Sequence, residues 1–309
     1  MPSSSRTRVL CLHGYAQNAG MLEGKLTRAK QTFGEDVELV FVNAPNILLR
    51  PTLSAQPPSS ADSCPPADDE PRCWWRWSSN EGFADPSELD RTLTYLRGVL
   101  EAQGPFDGVL GFSMGSAAAS LLCAILERPA LHPVFAAPAS SADAVWPHPP
   151  FRFAILASGY VPGERRCWDW LSPPLSTPAL HAIGKGDVVV DNEWSLVLAA
   201  RFSDCTLAWH EGGHHIPRKA SFFTLCHDFI IKHSQHSTPA SPTPSPSLRP
   251  RTLSTSQQPS FPFLVLPGKT SQPRDAAAVA DETARKMREL TRTLWAEVKE
   301  EASVTELCV

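Results

Sequence analysis

The sequence lacks the patterns that would place it among metal-binding, disulfide-rich or membrane-spanning proteins. Eight cysteines occur in 309 residues, but none forms a C-x-x-C pair or has the spacing of zinc ligands. We therefore expect no metal site and predict free thiols in a reducing compartment. No apolar run approaches the roughly 20 residues that a membrane-spanning helix needs, and no internal repeat is visible.

Net charge is also low. The formal net charge of −4 gives no reason to expect a nucleic acid or an anionic membrane as partner. The N-terminal residues contain one short apolar run, which we interpret as a first strand and not as a signal peptide. Together these features predict a cytoplasmic protein without nucleic-acid or membrane partners.

The composition divides the chain into three parts. Hydrophobic residues make up 42% of the sequence, enough for a sizeable core, and residues 1–233 have the mixed composition of a folded domain. Residues 234–273 are dominated by Ser, Thr, Pro and Gln, which predicts a disordered linker. In residues 274–309, apolar residues recur at spacings of three and four, which predicts a helical extension with one apolar stripe. This stripe either packs back on the domain or binds a protein partner.

Within residues 1–233, short apolar runs alternate with helical patterns, which predicts a mainly parallel, doubly wound α/β sheet. Strands are predicted at 7–12, 37–42, 107–112, 151–157, 179–183 and 205–210. Helices are predicted at 20–32, 86–102, 114–127, 190–201 and 218–232. Two stretches fit no core element, 50–82 and 129–149, and we expect both to be insertions over one end of the sheet.

The sequence GFSMG between a predicted strand and a predicted helix has the G-x-S-x-G pattern of a nucleophile elbow. A serine in such a tight turn requires neighbours without bulky side chains, which Gly111 and Gly115 satisfy. The turn presents the hydroxyl at a helix N-terminus, where free N–H groups stabilise a developing negative charge. Ser113 is therefore the predicted nucleophile.

A serine nucleophile needs a base, and the base needs an orienting carboxylate, in the chain order Ser, Asp or Glu, His. Asp187 follows a predicted strand and a glycine-bearing loop, and Asp191 is its competitor, although Asp191 also suits a helix N-cap. His214 follows Gly212 and Gly213 in a flexible loop, and His215 is the alternative base. We predict a triad of Ser113, Asp187 and His214.

Stabilising an oxyanion requires two backbone donors. The N–H of Met114, directly after the nucleophile, is the first candidate, and the second should come from the loop after the first strand. Tyr15 is the predicted second donor, with Ala16 as the alternative. His13 in the same loop is expected to brace it, because a base is already supplied further along the chain.

These motifs together resemble the FSH family of serine hydrolases. The similarity covers roughly residues 6–232 and includes LHGYAQNAG, a WW-containing insertion, GPFDGVLGFSMG, IGKGD and GGHHIP in that order. The resemblance implies a small α/β-hydrolase fold with a triad at Ser113, Asp187 and His214. It also implies activity on acyl esters or thioesters, including release of polyketide chains in secondary metabolism, without a metal or organic cofactor.

Substrate selection is expected to depend on the insertion that contains CWWRW. We predict that Trp74, Trp75 and Trp77 form an apolar wall for a small-molecule or carrier-bound acyl chain, with a hydrophobic cluster under a long loop as the alternative. Other functions remain open at this point. An acyltransferase or peptidase would use the same triad, and a non-catalytic binding protein would keep only the fold.

Overall fold

A computed structural model of the chain describes residues 6–48, 70–76, 85–140 and 146–234. The predicted linker at 234–273, apart from Ser234, and the predicted helical extension at 274–309 lie outside the described residues, as does most of the insertion at 50–82. No helix in the described ranges is long and apolar enough to cross a bilayer.

Six parallel strands form the central sheet, which confirms the predicted α/β-hydrolase type of architecture. The strands are β1 (Thr7–Leu12), β2 (Val37–Val42), β5 (Gly108–Phe112), β6 (Phe153–Ala157), β7 (Ala179–Gly184) and β8 (Cys205–His210). Their order across the sheet is β2-β1-β5-β6-β7-β8. β5, β6 and β7 consist of buried residues throughout, as expected for strands covered on both faces.

Helices cover both faces of this sheet. On one face lie α3 (Pro86–Gln103), α4 (Met114–Glu127), α6 (Arg165–Trp170) and α7 (Asn192–Ala199), with the larger hydrophobic cluster beneath them. On the other face, α1 (Ala19–Lys25), α2 (Thr27–Phe33) and α8 (Ala220–Ser234) enclose a second cluster. A short helix, α5 (Pro133–Ala136), follows α4. Because the six strands of the central sheet are parallel, their C-terminal ends all lie on the same side of the sheet, and each is followed by a loop there.

One predicted helix is divided in the structure. The pattern predicted a single helix over 20–32, but α1 ends before Leu26 and α2 begins after it, with Leu26 at φ −99° and ψ 12°. The hydroxyl of Thr27 donates to the Gly24 carbonyl at 3.0 Å, a side-chain bond that bends helices. Buried Leu22 and Leu26 keep the apolar periodicity across the bend, which is why the pattern did not reveal it.

The insertion after β2 is tied together at its base. Strand β3 (Asn46–Ile47) pairs antiparallel with β4 (Arg72–Cys73), and Leu48 donates its N–H to the carbonyl of Pro71 at 2.9 Å. The described ends of this insertion therefore lie side by side.

The described residues of the stretch at 129–149 are bonded to α3 and to the start of β5, and the predicted placement of both insertions over one end of the sheet stays a prediction. His148 of this stretch accepts a hydrogen bond from the N–H of Phe106, just before β5 begins, at 2.9 Å. The guanidinium of Arg97, a buried residue of α3, donates to the carbonyls of Val134 and Pro138. These bonds anchor the stretch to the body of the domain.

Candidate active site

Ser113 occupies the sharp turn between β5 and α4 that the sequence pattern predicts. Its φ of 53° lies in the left-handed region, which is strained for any residue with a Cβ. The Ser113 N–H donates to the carbonyl of Ala157 on the neighbouring strand at 2.8 Å, which holds the turn in place. The side chain is 8% exposed and stands directly before the first turn of α4.

The two flanking glycines are explained by close backbone contacts. A Cβ on Gly111 would lie 2.5 Å from the carbonyl oxygen of Gly115. A Cβ on Gly115 would collide with the carbonyl of Leu12 at the end of β1. The G-x-S-x-G pattern therefore reflects the packing of the turn against itself and against β1.

His214 lies on the loop after β8 and reaches the nucleophile. Its Nε2 is 3.0 Å from Ser113 Oγ, although the two residues are 101 positions apart in the chain. The loop is held by a hydrogen bond from Gly186 N–H to the Gly212 carbonyl at 3.1 Å. The ring of Phe112 lies against the imidazole, with centroids 5.1 Å apart. These contacts fix the imidazole above the serine hydroxyl.

Asp187, on the loop after β7, orients the other side of the imidazole. His214 Nδ1 lies 2.9 Å from Asp187 Oδ2 and 3.1 Å from Oδ1. The N–H groups of Val189 and Val190 each donate to Oδ1 at 2.9 Å. A carboxylate can only accept, so Nδ1 carries the proton and Nε2 is left to accept one from Ser113.

The charge state of Asp187 follows from these contacts. Burial alone would raise the pKa of this carboxyl group. The hydrogen bond from His214, its charge, the Val190 N–H and the nearby Ser158 hydroxyl outweigh burial and bring the pKa below its usual value. The carboxylate therefore stays ionised opposite the imidazole.

The two alternative residues have other partners. Asp191 is the N-cap of α7 and accepts a hydrogen bond from the Glu193 N–H at 3.1 Å. His215 donates from Nδ1 to the carbonyl of Ile216 at 3.1 Å and lies beside His210. The structure therefore brings together Ser113, Asp187 and His214, and it leaves Asp191 and His215 outside this chain of hydrogen bonds.

The predicted oxyanion donors lie in the turns after β5 and β1. Met114 is the first residue of α4, so its N–H is one of those without an acceptor inside the helix. Tyr15 lies in the turn after β1, where Gln17 donates its N–H to the Gly14 carbonyl. The alternative, Ala16, has a left-handed backbone with φ of 55°. The donor roles of Met114 and Tyr15 remain predictions.

His13 braces this loop as a neutral side chain. Its Nε2 accepts the N–H of Ala44 at 3.0 Å, and its Nδ1 donates to the Gly14 carbonyl at 2.7 Å. Burial lowers the pKa of His13 to about 4, so the imidazole is uncharged at neutral pH. A neutral imidazole is the form that can accept at one nitrogen while donating at the other.

The tryptophans at 74 and 75 do not form the exposed wall that we predicted. Both are fully buried in the larger hydrophobic cluster, and a side chain without accessible surface cannot contact a substrate in this conformation. Trp74 instead donates from Nε1 to the carbonyl of His13 at 2.8 Å, so it supports the loop that carries Tyr15. Trp77 lies outside the described residues.

Ser158 was missed in the sequence. It follows β6 directly, has a left-handed backbone with φ of 48°, and is buried beside Asp187. The sequence contains Ser-Gly immediately after an apolar run, but Leu156 and Tyr160 stand at the two positions where the nucleophile pattern has glycine.

A parallel sheet with this strand order, together with a serine, a histidine and an aspartate joined by hydrogen bonds above its edge, defines a serine hydrolase of the α/β-hydrolase class. The family model for "Serine hydrolase (FSH1)" matches residues 2–225. The chain therefore belongs to the FSH1 serine hydrolase family, as its motifs indicated.

Two sequence relatives are named as hydrolases. Esterase OVCA2 of Homo sapiens is 33% identical over 228 residues, covering 71% of this chain and 93% of that protein. A hydrolase of Schizosaccharomyces pombe is 31% identical over 246 residues, covering 77% of this chain but only 54% of its own length. The crystal structure of Zea mays acyl-protein thioesterase 2 aligns with 74% of this chain and 94% of its own, with 17% identity and a TM-score of 0.46.

Proposed function

We propose that this protein hydrolyses carboxylic esters, including thioesters, through an acyl-enzyme intermediate on Ser113. The observation that carries the proposal is the continuous set of hydrogen bonds from Ser113 Oγ through His214 to Asp187, at 3.0 and 2.9 Å. The position of Ser113 before the first turn of α4 supports it further. Esterase is also the name of the human relative.

In the first half of the reaction, Ser113 Oγ attacks the acyl carbonyl carbon while His214 Nε2 takes the hydroxyl proton. The carbon–oxygen bond forms as the carbonyl electrons move to the oxygen. The imidazolium that results is stabilised by the ionised Asp187, which keeps the ring in its orientation.

The oxyanion of this tetrahedral intermediate is assigned to the N–H groups of Met114 and Tyr15. Backbone donors that are fixed in advance need no reorganisation when charge develops, and one such donor is worth about 10²- to 10³-fold in rate. The hydrogen bonds of His13 to Ala44 and Gly14 hold the second donor loop in place.

In the second half, the imidazolium returns its proton to the leaving alcohol or thiol as the bond between acyl carbon and leaving group breaks. A water molecule then gives its proton to His214 Nε2 and attacks the acyl-enzyme. Collapse of the second intermediate returns the proton to Ser113 Oγ and releases the acid.

The family resemblance suggests a narrower hypothesis, release of an acyl or polyketide chain from a carrier in secondary metabolism. A matched series of p-nitrophenyl esters and acyl thioesters of increasing length tests it. A sharp optimum for long thioesters is expected under this hypothesis, and a preference for short oxygen esters would contradict it.

Labelling with a fluorophosphonate probe tests the broader proposal. Wild-type protein should be labelled at Ser113 and should release p-nitrophenol from a short ester, with the free acid as product. Product analysis with added alcohol or amine separates hydrolysis from acyl transfer. Folded wild-type protein that is neither labelled nor active would overturn the proposal and favour a binding role.

A further inference from the structure

The base of the insertion after β2 is bonded to the loop that carries Tyr15 at two points. Arg72 of β4 donates its backbone N–H to the carbonyl of Gln17 at 2.9 Å. Trp74, two residues further on, donates its indole N–H to the carbonyl of His13 at 2.8 Å. Both ends of the loop over residues 13–17 are therefore attached to the same short segment of the insertion.

Trp74 is itself held in place by elements outside this loop. Its side chain is fully buried. Its carbonyl accepts a hydrogen bond from the side-chain amide of Asn46 in β3 at 2.9 Å and another from the hydroxyl of Thr92 in α3. The indole ring also lies against the His13 imidazole, with centroids 5.3 Å apart. Packing therefore fixes the position of the indole N–H before a substrate binds.

Hydrogen bonds within the loop set the direction of its peptide groups. The Gly14 N–H donates to the side-chain oxygen of Gln17 at 3.3 Å, so the peptide group that joins residues 13 and 14 is bonded at both its C=O and its N–H. The Gly14 carbonyl accepts from His13 Nδ1 at 2.7 Å and from the Gln17 N–H at 3.3 Å. Because a trans peptide group is planar, with its C=O and N–H on opposite sides, these bonds also fix the direction of the Tyr15 N–H.

The same loop packs against the elements that carry the catalytic groups. The His13 carbonyl lies beside the first turn of α4, since a Cβ on Gly115 would stand 2.6 Å from its oxygen. Met114, the predicted first donor, directly precedes Gly115 in that turn. A Cβ on Gly14 would stand 3.0 Å from the ring of Phe112, which also contacts the imidazole of the triad. The carbonyl held by the indole is therefore next to the predicted oxyanion site.

We propose that Trp74 is a positioning residue of the oxyanion hole. Its indole N–H holds the His13 peptide group, and through the bonds of the loop it aims the Tyr15 N–H at the oxyanion. This inference rests on the proposed function, in which that N–H is the second donor. In this role the base of the insertion increases turnover by stabilising the transition state and leaves substrate binding unchanged.

Trp74→Phe tests this role, because it removes the indole N–H and keeps an aromatic ring. A displaced donor weakens only the stabilisation of the transition state, so kcat for a p-nitrophenyl ester should fall about tenfold or more while KM changes by less than about twofold. Trp75→Phe is the matched control. Trp75 is equally buried in the same cluster, and its Nε1 has no hydrogen-bond partner among the described residues. Both kinetic constants of this control should stay within about threefold of the wild-type values.

A transition-state analogue separates positioning from a general loss of structure. Ser113 Oγ adds to the carbonyl carbon of an aryl trifluoromethyl ketone while His214 takes the proton, and the oxyanion of this adduct needs the same donors as the reaction. The inhibition constant should rise in Trp74→Phe by the same factor by which kcat falls, and it should stay unchanged in Trp75→Phe. Urea denaturation checks that both variants are folded under the assay conditions.

Gln17→Met provides a second test that applies even if Trp74→Phe does not fold. It removes the acceptor of the Gly14 N–H, and the Gln17 side chain is only partly buried. Here too kcat should fall and the inhibition constant should rise by one common factor, and an unchanged inhibition constant would contradict the inference.

The outcomes separate the inference from the proposed function. Equal losses in Trp74→Phe and Trp75→Phe, or a loss confined to KM, would refute the positioning role while the wild type still hydrolyses the ester. A folded wild type that neither hydrolyses esters nor binds the ketone would refute the proposed function and the inference together.

Discussion

Two neighbouring serines end two neighbouring strands in nearly the same way. Ser113 follows β5 and Ser158 follows β6, with φ values of 53° and 48°. Each donates its N–H to a carbonyl of the next strand, Ser113 to Ala157 at 2.8 Å and Ser158 to Ala182 at 2.9 Å. Both side chains are largely buried. Strain and burial are therefore common to both turns.

The partners of the two hydroxyl groups differ. Ser113 Oγ lies 3.0 Å from an imidazole nitrogen that can accept its proton and stands at the start of a long helix. Ser158 lies beside the Asp187 carboxylate, whose pKa it helps to lower. Under the proposed mechanism, what sets Ser113 apart from Ser158 is therefore the base that reaches its hydroxyl group, and not strain or burial.

The largest expected effect comes from removing each hydroxyl in turn. Ser113→Ala should lower kcat for a p-nitrophenyl ester by about 10⁴-fold or more and abolish fluorophosphonate labelling, because the nucleophile is lost. Ser158→Ala should remain labelled and lose less than tenfold. Circular dichroism checks that both variants are folded. Labelling of Ser113→Ala at Ser158 would break the comparison.

The next effect concerns the Asp187 carboxylate, which lies beside Ser158 and is bonded to the histidine that reaches Ser113. Asp187→Asn should lower kcat by about 10³- to 10⁴-fold, because an amide no longer stabilises the required tautomer and the imidazolium of His214. Asp191→Asn is the control and should keep full activity, since asparagine caps a helix as well as aspartate does. Equal losses in the two variants would contradict the assignment of Asp187.

A third test compares alanine substitutions at Gly115 and Gly159, the glycines that follow the two serines. A Cβ on Gly115 meets backbone carbonyls of β1, whereas a Cβ on Gly159 meets side-chain atoms of Leu198 at 2.7 Å and Ser116 at 2.9 Å. The Leu198 methyl group ends a flexible side chain and can move, whereas the carbonyls that face Gly115 cannot, so Gly115→Ala should lower the free energy of unfolding by about 3 kcal/mol and Gly159→Ala by about 1–2 kcal/mol. Urea denaturation measures both, and the reverse order would count against this packing.

The smallest expected effect is on the pH dependence of stability, and it compares a buried histidine with His214. His214 faces a carboxylate, whereas His181 on β7 is buried, which lowers its pKa to about 4. The unfolded chain, with a histidine pKa near 6.5, binds this proton first, so stability should fall as the pH drops from 6.5 towards 4. Between pH 7 and pH 5 this residue should account for about 2 kcal/mol.

Urea denaturation of wild type and His181→Leu at several pH values measures this contribution. The variant should lose less stability than the wild type between pH 7 and pH 5. Parallel pH profiles for the two proteins would show that His181 does not remain neutral in the folded state.

The core of the fold was predictable because its signals are local. Apolar runs bounded by turns placed β1, β2 and β8 with their observed limits, and the glycine pattern located the turn at Ser113. The order of Asp187 and His214 along the chain followed from the same strand ends. Each prediction needed only the direction of a strand and the loop that follows it.

What could not be predicted depends on contacts between distant segments. An apolar Trp74-Trp75 pair in a polar insertion is equally consistent with a wall and with a buried anchor, and only the structure shows that both side chains are buried. The bond from Trp74 to the His13 carbonyl joins residues 61 positions apart. The role of Ser158 likewise depends on where the Asp187 loop lies.

The joined base of the insertion after β2 has a consequence for how such enzymes diversify. Because the Leu48 N–H is bonded to the Pro71 carbonyl, the two described ends of this insertion are fixed side by side. Each doubling of the length between these points costs only about 0.6 kcal/mol of closure entropy. We therefore expect that residues 49–70 can be replaced as one segment, in evolution or by design. Ser113, Asp187 and His214 lie on other loops and would keep their arrangement.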